Sequence, residues 1–270
     1  MSLPNFRHIH IHIRRLAMTA GLLAASTCHA QLGAPAFHKL DVLQTMPESA
    51  GALVYQGATF AQRQSAGIPL FRYERRLSNA TTGLTASHIT RDPSESVIIL
   101  ESATLSDQYE VRRLEVTNRQ SGFTGSVRVS NDGRHLEYEL NENGKVSKST
   151  EDVSAPIVCG PSLFGFILKR WEPLKAGAKV PVRMVVIQDK TTYGFDLAYE
   201  KTTHNQAIFT ITPSSFLIRM AIAPLRVAFD ASSRAPVRYE GRVPPMENID
   251  GKLKNLDARV QYTSQSPVYR

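Results

Sequence analysis

The clearest helical segment of this sequence is Pro161-Ser162-Leu163-Phe164-Gly165-Phe166-Ile167-Leu168-Lys169-Arg170-Trp171. Four of its apolar residues follow the i, i+3, i+4, i+7 spacing of a single helical face, namely Phe164, Ile167, Leu168 and Trp171. Pro161 suits a first helical turn, and Pro173 is expected to end the helix. Because strand-like segments surround this helix, we expect it to bury its apolar face against a sheet.

The rest of the chain reads as about a dozen strands joined mostly by hairpins, with no alternation of strands and helices. Asn131-Asp132-Gly133 and Glu142-Asn143-Gly144 are hairpin signals, and the apolar residues between them alternate as in a half-buried strand. A meander of this length must curl or close to protect its edges. The sequence therefore predicts a mainly β protein, with a large curved antiparallel sheet or incomplete β-barrel and the short helix packed on the concave side.

Two segments depart from simple alternation. In Tyr109–Thr117 the apolar positions change phase, which predicts a β-bulge near Arg112-Arg113. The apolar stretch Phe216–Ala223 contains one arginine and fits a helix and a strand equally well. Its conformation stays open at this point.

The first thirty residues have the features of a secretory signal peptide. Arg7, Arg14 and Arg15 precede the short apolar segment Leu16–Ala25, and Cys28-His29-Ala30 offers small residues for cleavage before Gln31. The alternative is lipoprotein processing, which would leave a lipidated Cys28 at the N-terminus. We expect a signal peptide at 1–30, an N-terminal arm at 31–50, and a single β-rich domain at 51–270 with a seam near 155–178. The mature chain is expected to be periplasmic or secreted, without a transmembrane segment.

The charge distribution argues against nucleic-acid binding. The formal net charge is +8, and three of the positive charges lie in the predicted signal peptide, which leaves +5 for the rest. The remaining basic residues alternate with acidic ones along the strands instead of forming a basic patch.

The sequence contains no pattern that points to a reaction. Cys159 precedes the helix and would need His88, His135 or His204 as a base, but a lone cysteine is more often a small core residue. Asn248, Asp250 and Asp257 match a calcium loop only in part, and a hairpin turn explains them more simply. We therefore expect no catalytic residues, no metal site, no cofactor and no enzymatic activity.

The C-terminal strands carry a resemblance to a known group of proteins. Leu225–Asp230, Pro236–Gly241, Asn248–Gly251 and Ala258–Tyr262 resemble a strand pattern of uncharacterised secreted bacterial proteins, which are similar to periplasmic lipoprotein carriers. Val243-Pro244-Pro245 departs from that pattern. The resemblance implies a curved sheet plugged by a helix and the carriage of a lipid, and it implies no catalytic residues.

Two functions are compatible with such a sheet. The first is a non-enzymatic periplasmic protein that binds an apolar ligand, such as a lipid or acyl chain, against Phe164, Ile167, Leu168 and Trp171. The second is a structural or protein-interaction module of the cell envelope with a filled core. The first requires an internal cavity, and the second requires an exposed apolar patch or an open edge strand.

Export predicts that the mature protein begins at Gln31, because cleavage follows Ala30. N-terminal sequencing of the protein recovered from the periplasm measures this directly. A chain that begins at Met1, or a lipidated Cys28, would contradict the prediction.

Overall fold

The computed structural model describes residues 51–62, 67–80 and 83–264. The predicted signal peptide and N-terminal arm, with the candidate lipidation site Cys28, lie outside the described residues. Fifteen strands of the described chain form one large curved sheet that does not close on itself. The predicted mainly β fold is confirmed.

The strands are β1 Ala52–Ala61, β2 Phe71–Ala80, β3 Gly83–Arg91, β4 Val97–Leu105, β5 Val111–Asn118, β6 Phe123–Val129, β7 His135–Glu142, β8 Lys145–Asp152, β9 Ile157–Val158, β10 Lys179–Val186, β11 Thr191–Thr203, β12 Gln206–Pro213, β13 Leu225–Asp230, β14 Pro236–Ile249 and β15 Lys252–Ser264. The helices are α1 Gly160–Lys169, α2 Trp171–Lys175 and α3 Phe216–Ala221. The stretch 216–223, for which the sequence left helix and strand open, is thus mainly a short helix.

The sheet is a meander whose first and last strands pair with each other. Its order is β8-β7-β6-β5-β4-β3-β2-β1-β15-β14-β13-β12-β11-β10-β9, and every pair is antiparallel except β9 with β10. Both free edges of the sheet therefore lie in the middle of the sequence. The segment 155–178, where a seam was expected, contains the edge strand β9 and then α1 and α2, which connect β9 to β10.

Side chains bridge the gap between the edge strand β8 and the β10–β11 hairpin. The carboxylate of Glu151 on β8 accepts hydrogen bonds from Arg183 Nη2 at 2.9 Å and from the backbone N–H of Thr192 at 2.7 Å. Ser149 Oγ donates a hydrogen bond of 3.0 Å to the carbonyl oxygen of Lys190. The sheet is thus barrel-like, although no backbone ladder closes it.

Helix α1 lies inside this curved sheet and is buried on several sides. Leu163 and Phe166 are buried as well as the predicted Phe164 and Ile167. A single buried face was expected, and that expectation was too narrow, because a curved sheet surrounds a helix where a flat sheet covers one side. Gly165 contributes to this fit, since the ring of Tyr109 occupies the space that a Cβ atom would need.

The helical run also ends differently from the sequence prediction. It breaks at Arg170, and Pro173 lies within α2, where it was expected to stop the helix. The guanidinium group of Arg170 lies 3.6 Å from the centre of the Phe166 ring and pairs with Glu110 at 2.9 Å. These contacts hold the C-terminal end of α1 against the turn between β4 and β5.

At the other end of the barrel, the long β14–β15 hairpin reaches across the opening. Gln120, in the β5–β6 turn, exchanges two hydrogen bonds of 2.7 Å with the backbone of Met246 on β14. Beneath this hairpin, Phe71, Leu256 and Ala258 form a second small core. The hairpin therefore lies over this end of the interior.

The predicted β-bulge is confirmed. Thr104 faces Arg113 whereas Leu105 faces Val111, so Arg112 is the additional residue. The bulge turns both Val111 and Leu114 towards the core, which explains the change of phase in the sequence.

Replacement of Trp171 by alanine is expected to destabilise the whole barrel by about 3–5 kcal/mol, because it empties a large buried site. Trp171 is 3% exposed, so water cannot replace the packing contacts that the indole ring makes. Thermal and urea unfolding of Trp171→Ala measure the change. Phe216→Ala is the matched control and should leave the unfolding curve unchanged, because Phe216 is exposed. Equal curves for wild type and Trp171→Ala would show that the helix does not belong to the core.

Candidate functional site

The four residues predicted to bind a ligand lie on the helices inside the barrel. Phe164 is surrounded by aromatic rings of the sheet, with ring centres 5.8 Å from Tyr55, 5.5 Å from Phe229 and 5.4 Å from Tyr262. Ile167 is fully buried, and Leu168 is half-buried at the edge of the same core. These side chains therefore contact other side chains of the protein at the positions where a ligand was predicted to bind.

Trp171 belongs to a second aromatic group. Its ring lies 5.0 Å from Phe209 and 5.8 Å from Phe229, centre to centre. On its outer side, the guanidinium group of Arg234 lies 5.1 Å from the indole and pairs with Glu172 at 2.7 Å. Packing on both sides favours a filled core over a cavity around this residue.

A pocket of the described chain lies on the outer face of the sheet. This groove of about 440 Å³ crosses strands β5 to β8 and is lined largely by polar and charged side chains, among them Arg113, Arg128, Glu137, Glu139 and Lys148. Such a lining does not suit an acyl chain.

A row of polar side chains lies inside the barrel beside the N-terminus of α1. Arg75 on β2 faces His88 on β3, and His88 faces Glu101 on β4. Arg75 Nη1 lies 2.9 Å from His88 Nε2 and also donates a hydrogen bond to the carbonyl oxygen of Pro161. The row therefore attaches three strands of the sheet to the first turn of the helix.

Burial sets the charge state of this row. Burial raises the pKa of Glu101 to about 7, since the charged carboxylate loses its hydration. Burial, and then the nearby Arg75 charge, lower the pKa of His88 well below 6.5, so its imidazole is neutral at pH 7. The 3.8 Å separation of His88 Nδ1 and Glu101 Oε2 is accordingly not an ion pair at that pH.

Cys159 lies next to the polar row, but its environment does not activate the thiol. Cys159 is 1% exposed, and burial, with a contribution from Glu101, raises the pKa of its thiol to about 12. Reactive cysteines instead have lowered pKa values and access to solvent. Of the three histidines considered as a base, His88 lies beside this helix end, whereas His135 pairs with Asp152 and His204 lies in the exposed β11–β12 turn. Within the described residues no cluster of His, Cys, Asp and Glu could hold a metal ion.

The surface offers a different candidate. In an antiparallel meander, alternate turns lie at the same end of the sheet, and the strand pairing places the β1–β2, β7–β8, β12–β13 and β14–β15 turns at one end. This end is opposite the one that α1 and α2 reach, where the β4–β5 turn contacts Arg170.

All the large apolar side chains that are exposed in the described chain lie in or next to these four turns. We call this set of side chains the apolar rim, and its members are Ile68, Val146, Phe216, Leu217, Met220, Ile249 and Leu253. Helix α3 contributes three of them, with Met220 74% exposed. Single exposed apolar residues are common, but their confinement to one end makes this end a candidate interaction surface. No helix in the described ranges has the length and apolar character needed to cross a membrane.

Comparisons with known proteins contribute little beyond this geometry. No protein-family model and no curated protein matches the chain. One solved structure with some similarity is the β-barrel-like protein of a domain of unknown function, DUF1849, from Brucella abortus. It shares 9% sequence identity, with 80% of this chain and 97% of that chain covered, at a TM-score of 0.30. A similarity of that size supports no inference about function.

The raised pKa of Glu101 predicts that the difference in stability between the wild type and Glu101→Gln depends on pH. Below pH 4.5 the carboxyl group is protonated in both the folded and unfolded chain, whereas between pH 4.5 and about 7 the unfolded chain releases the proton first. The stability of the wild type relative to Glu101→Gln should therefore fall across this range, by up to about 3 kcal/mol. Titration of His88 acts in the opposite direction, but it is common to both proteins.

Urea unfolding of both proteins at a series of pH values measures this difference. Glu115→Gln, on the exposed face of the neighbouring strand β5, is the matched control and should show no such trend. A difference between wild type and Glu101→Gln that does not change with pH would contradict the buried, protonated carboxyl group.

Proposed function

We propose that this chain is a non-enzymatic binding module of the bacterial cell envelope. It is exported to the periplasm, and it engages an apolar partner through the apolar rim. The single observation that carries the proposal is the confinement of the exposed apolar side chains to one end of the barrel. An exposed apolar patch is the feature that separates an interaction module from a carrier with an internal site.

The interior supports the same choice. Phe164, Ile167 and Trp171 are packed against aromatic and aliphatic side chains of the sheet, and the β14–β15 hairpin covers the core at the rim end. Truncation of these side chains is therefore expected to lower the stability of the fold, and the packing gives no reason to expect a separate effect on ligand binding. The absence of enzymatic activity is also part of the proposal, supported by the buried, protonated thiol of Cys159.

Lipid carriage inside the barrel, which the resemblance to lipoprotein carriers implied, stays a prediction. It requires an acyl chain among side chains that already contact one another. Mass spectrometry of lipids extracted from the purified protein would reveal a stoichiometric internal ligand, and such a ligand would favour the carrier over the interaction module.

The rim is expected to be covered in living cells and open in the purified protein. Met220→Cys places a thiol at the position of the most exposed large apolar side chain of α3, and a hydrophilic maleimide that enters the periplasm measures its accessibility. Labelling of this thiol in cells should fall at least several-fold below labelling of the purified variant.

Ala178→Cys is the matched control, since Ala178 is exposed at the opposite end of the barrel, just before β10. It should label equally in cells and in solution, while the wild-type chain, with Cys159 buried, gives the background. Equal labelling of Met220→Cys in the two settings would overturn the proposed function, because a binding surface must be covered by its partner.

A further inference from the structure

Unpaired cations accompany the apolar rim. Arg219 lies within α3, between Leu217 and Met220, and Lys252 and Lys254 lie on either side of Leu253 in the β14–β15 hairpin. All three basic side chains are exposed, and none forms an ion pair within the described residues. No acidic residue occurs between Ser214 and Pro224, so the charge of Arg219 is not compensated nearby in sequence.

The combination of side chains resembles that of segments that lie in a membrane interface. Such segments place Phe, Leu and Met in the boundary between headgroups and acyl chains, while Lys and Arg extend towards anionic headgroups. In the β14–β15 hairpin, Glu247 and Asp250 offset the two lysines. The electrostatic attraction is therefore modest, and insertion of the apolar side chains must contribute the larger part of the binding.

The distribution of the rim favours a broad, flat partner. Its residues belong to four separate turns that project from one end of the same barrel, and α3 and the β14–β15 hairpin carry five of the seven. A peptide that extends a sheet pairs along one edge strand, and a peptide in a groove contacts one helix face. The rim side chains lie instead at the ends of four hairpins, of which β1–β2, β14–β15 and β12–β13 are neighbours in the sheet and β7–β8 lies at its edge. A bilayer surface can contact several projecting turns at once.

We propose that the apolar rim docks on the surface of a phospholipid bilayer that contains anionic lipids, with α3 and the tip of the β14–β15 hairpin inserted among the headgroups. This inference rests on the proposed function and names its partner. The chain binds as a peripheral protein, and the end of the barrel that α1 and α2 reach faces away from the membrane.

The test is sedimentation of the purified mature protein with vesicles of phosphatidylethanolamine and phosphatidylglycerol, compared with vesicles of phosphatidylcholine alone. We expect binding to the anionic vesicles that weakens with salt. Replacing Phe216, Leu217 and Met220 together by serine should weaken it at least tenfold. All three side chains are exposed, so the thermal unfolding of this variant should match the wild type.

A charge-reversal pair isolates the contribution of the cations. Arg219→Glu, Lys252→Glu and Lys254→Glu together should weaken binding more than Lys169→Glu, Lys175→Glu and Lys179→Glu, which make the same charge change at the opposite end. Equal effects of the two sets, or undiminished binding of the serine variant, would overturn the membrane proposal.

Failure of this inference can be separated from failure of the proposed function. If vesicles do not bind the wild type while Met220→Cys remains protected in cells, the rim is covered by a protein, and only the membrane proposal is overturned. If vesicles do not bind and Met220→Cys is unprotected, both proposals are overturned.

Discussion

The antiparallel pairing of β1 with β15 is the contact on which the rest of the sheet depends. It brings Ala61 opposite Ala258, which are about 200 residues apart in the chain. Gly57 makes the approach feasible, because a Cβ atom there would lie 2.9 Å from the Val260 side chain. Without this pairing the chain would form two meanders with four free edges, and with it only β8 and β9 remain as edges, directly before the helical segment. Such a long-range contact has a high entropic cost of loop closure, so its formation is expected to be a late and slow step of folding.

Since no backbone ladder closes the barrel, its interior must supply the cohesion that closure would otherwise provide. Helix α1 fills the space, and the Arg75–His88–Glu101 row fixes its position by a hydrogen bond from Arg75 to Pro161. A buried arginine is costly unless its charge is compensated by such bonds, and removal of a single partner leaves a strongly destabilising charge. The polar row therefore sets where the helix lies, while the aromatic packing around Phe164 and Trp171 contributes most of the stabilisation.

Local features of this fold could be predicted from the sequence, and long-range ones could not. The hairpins at Asn131–Gly133 and Glu142–Gly144 and the bulge at Arg112 depend on neighbouring residues, and each is present. The polar row was missed because Arg75 and Glu101 can be placed on either side of His88 only when two successive hairpin registers are known. A usable signal exists, since Arg75, His88 and Glu101 recur every 13 residues, the length of one strand and turn. Helix α3 could not be assigned because an exposed apolar segment lacks the alternation that burial on one side imposes.

The β14–β15 hairpin combines a part of the core and a part of the apolar rim within a single element. Near the barrel, Leu256 and Ala258 pack with Phe71 and contribute to the core. Beyond the bulge between Val243 and Met246, the same two strands carry Ile249 and Leu253 into solvent. Exposed apolar residues at a turn add nothing to the core and favour aggregation, which is consistent with the role proposed for the rim. The interior and the rim can consequently be altered independently. Substitutions inside the barrel are expected to change stability, whereas substitutions in the rim are expected to change the proposed membrane binding.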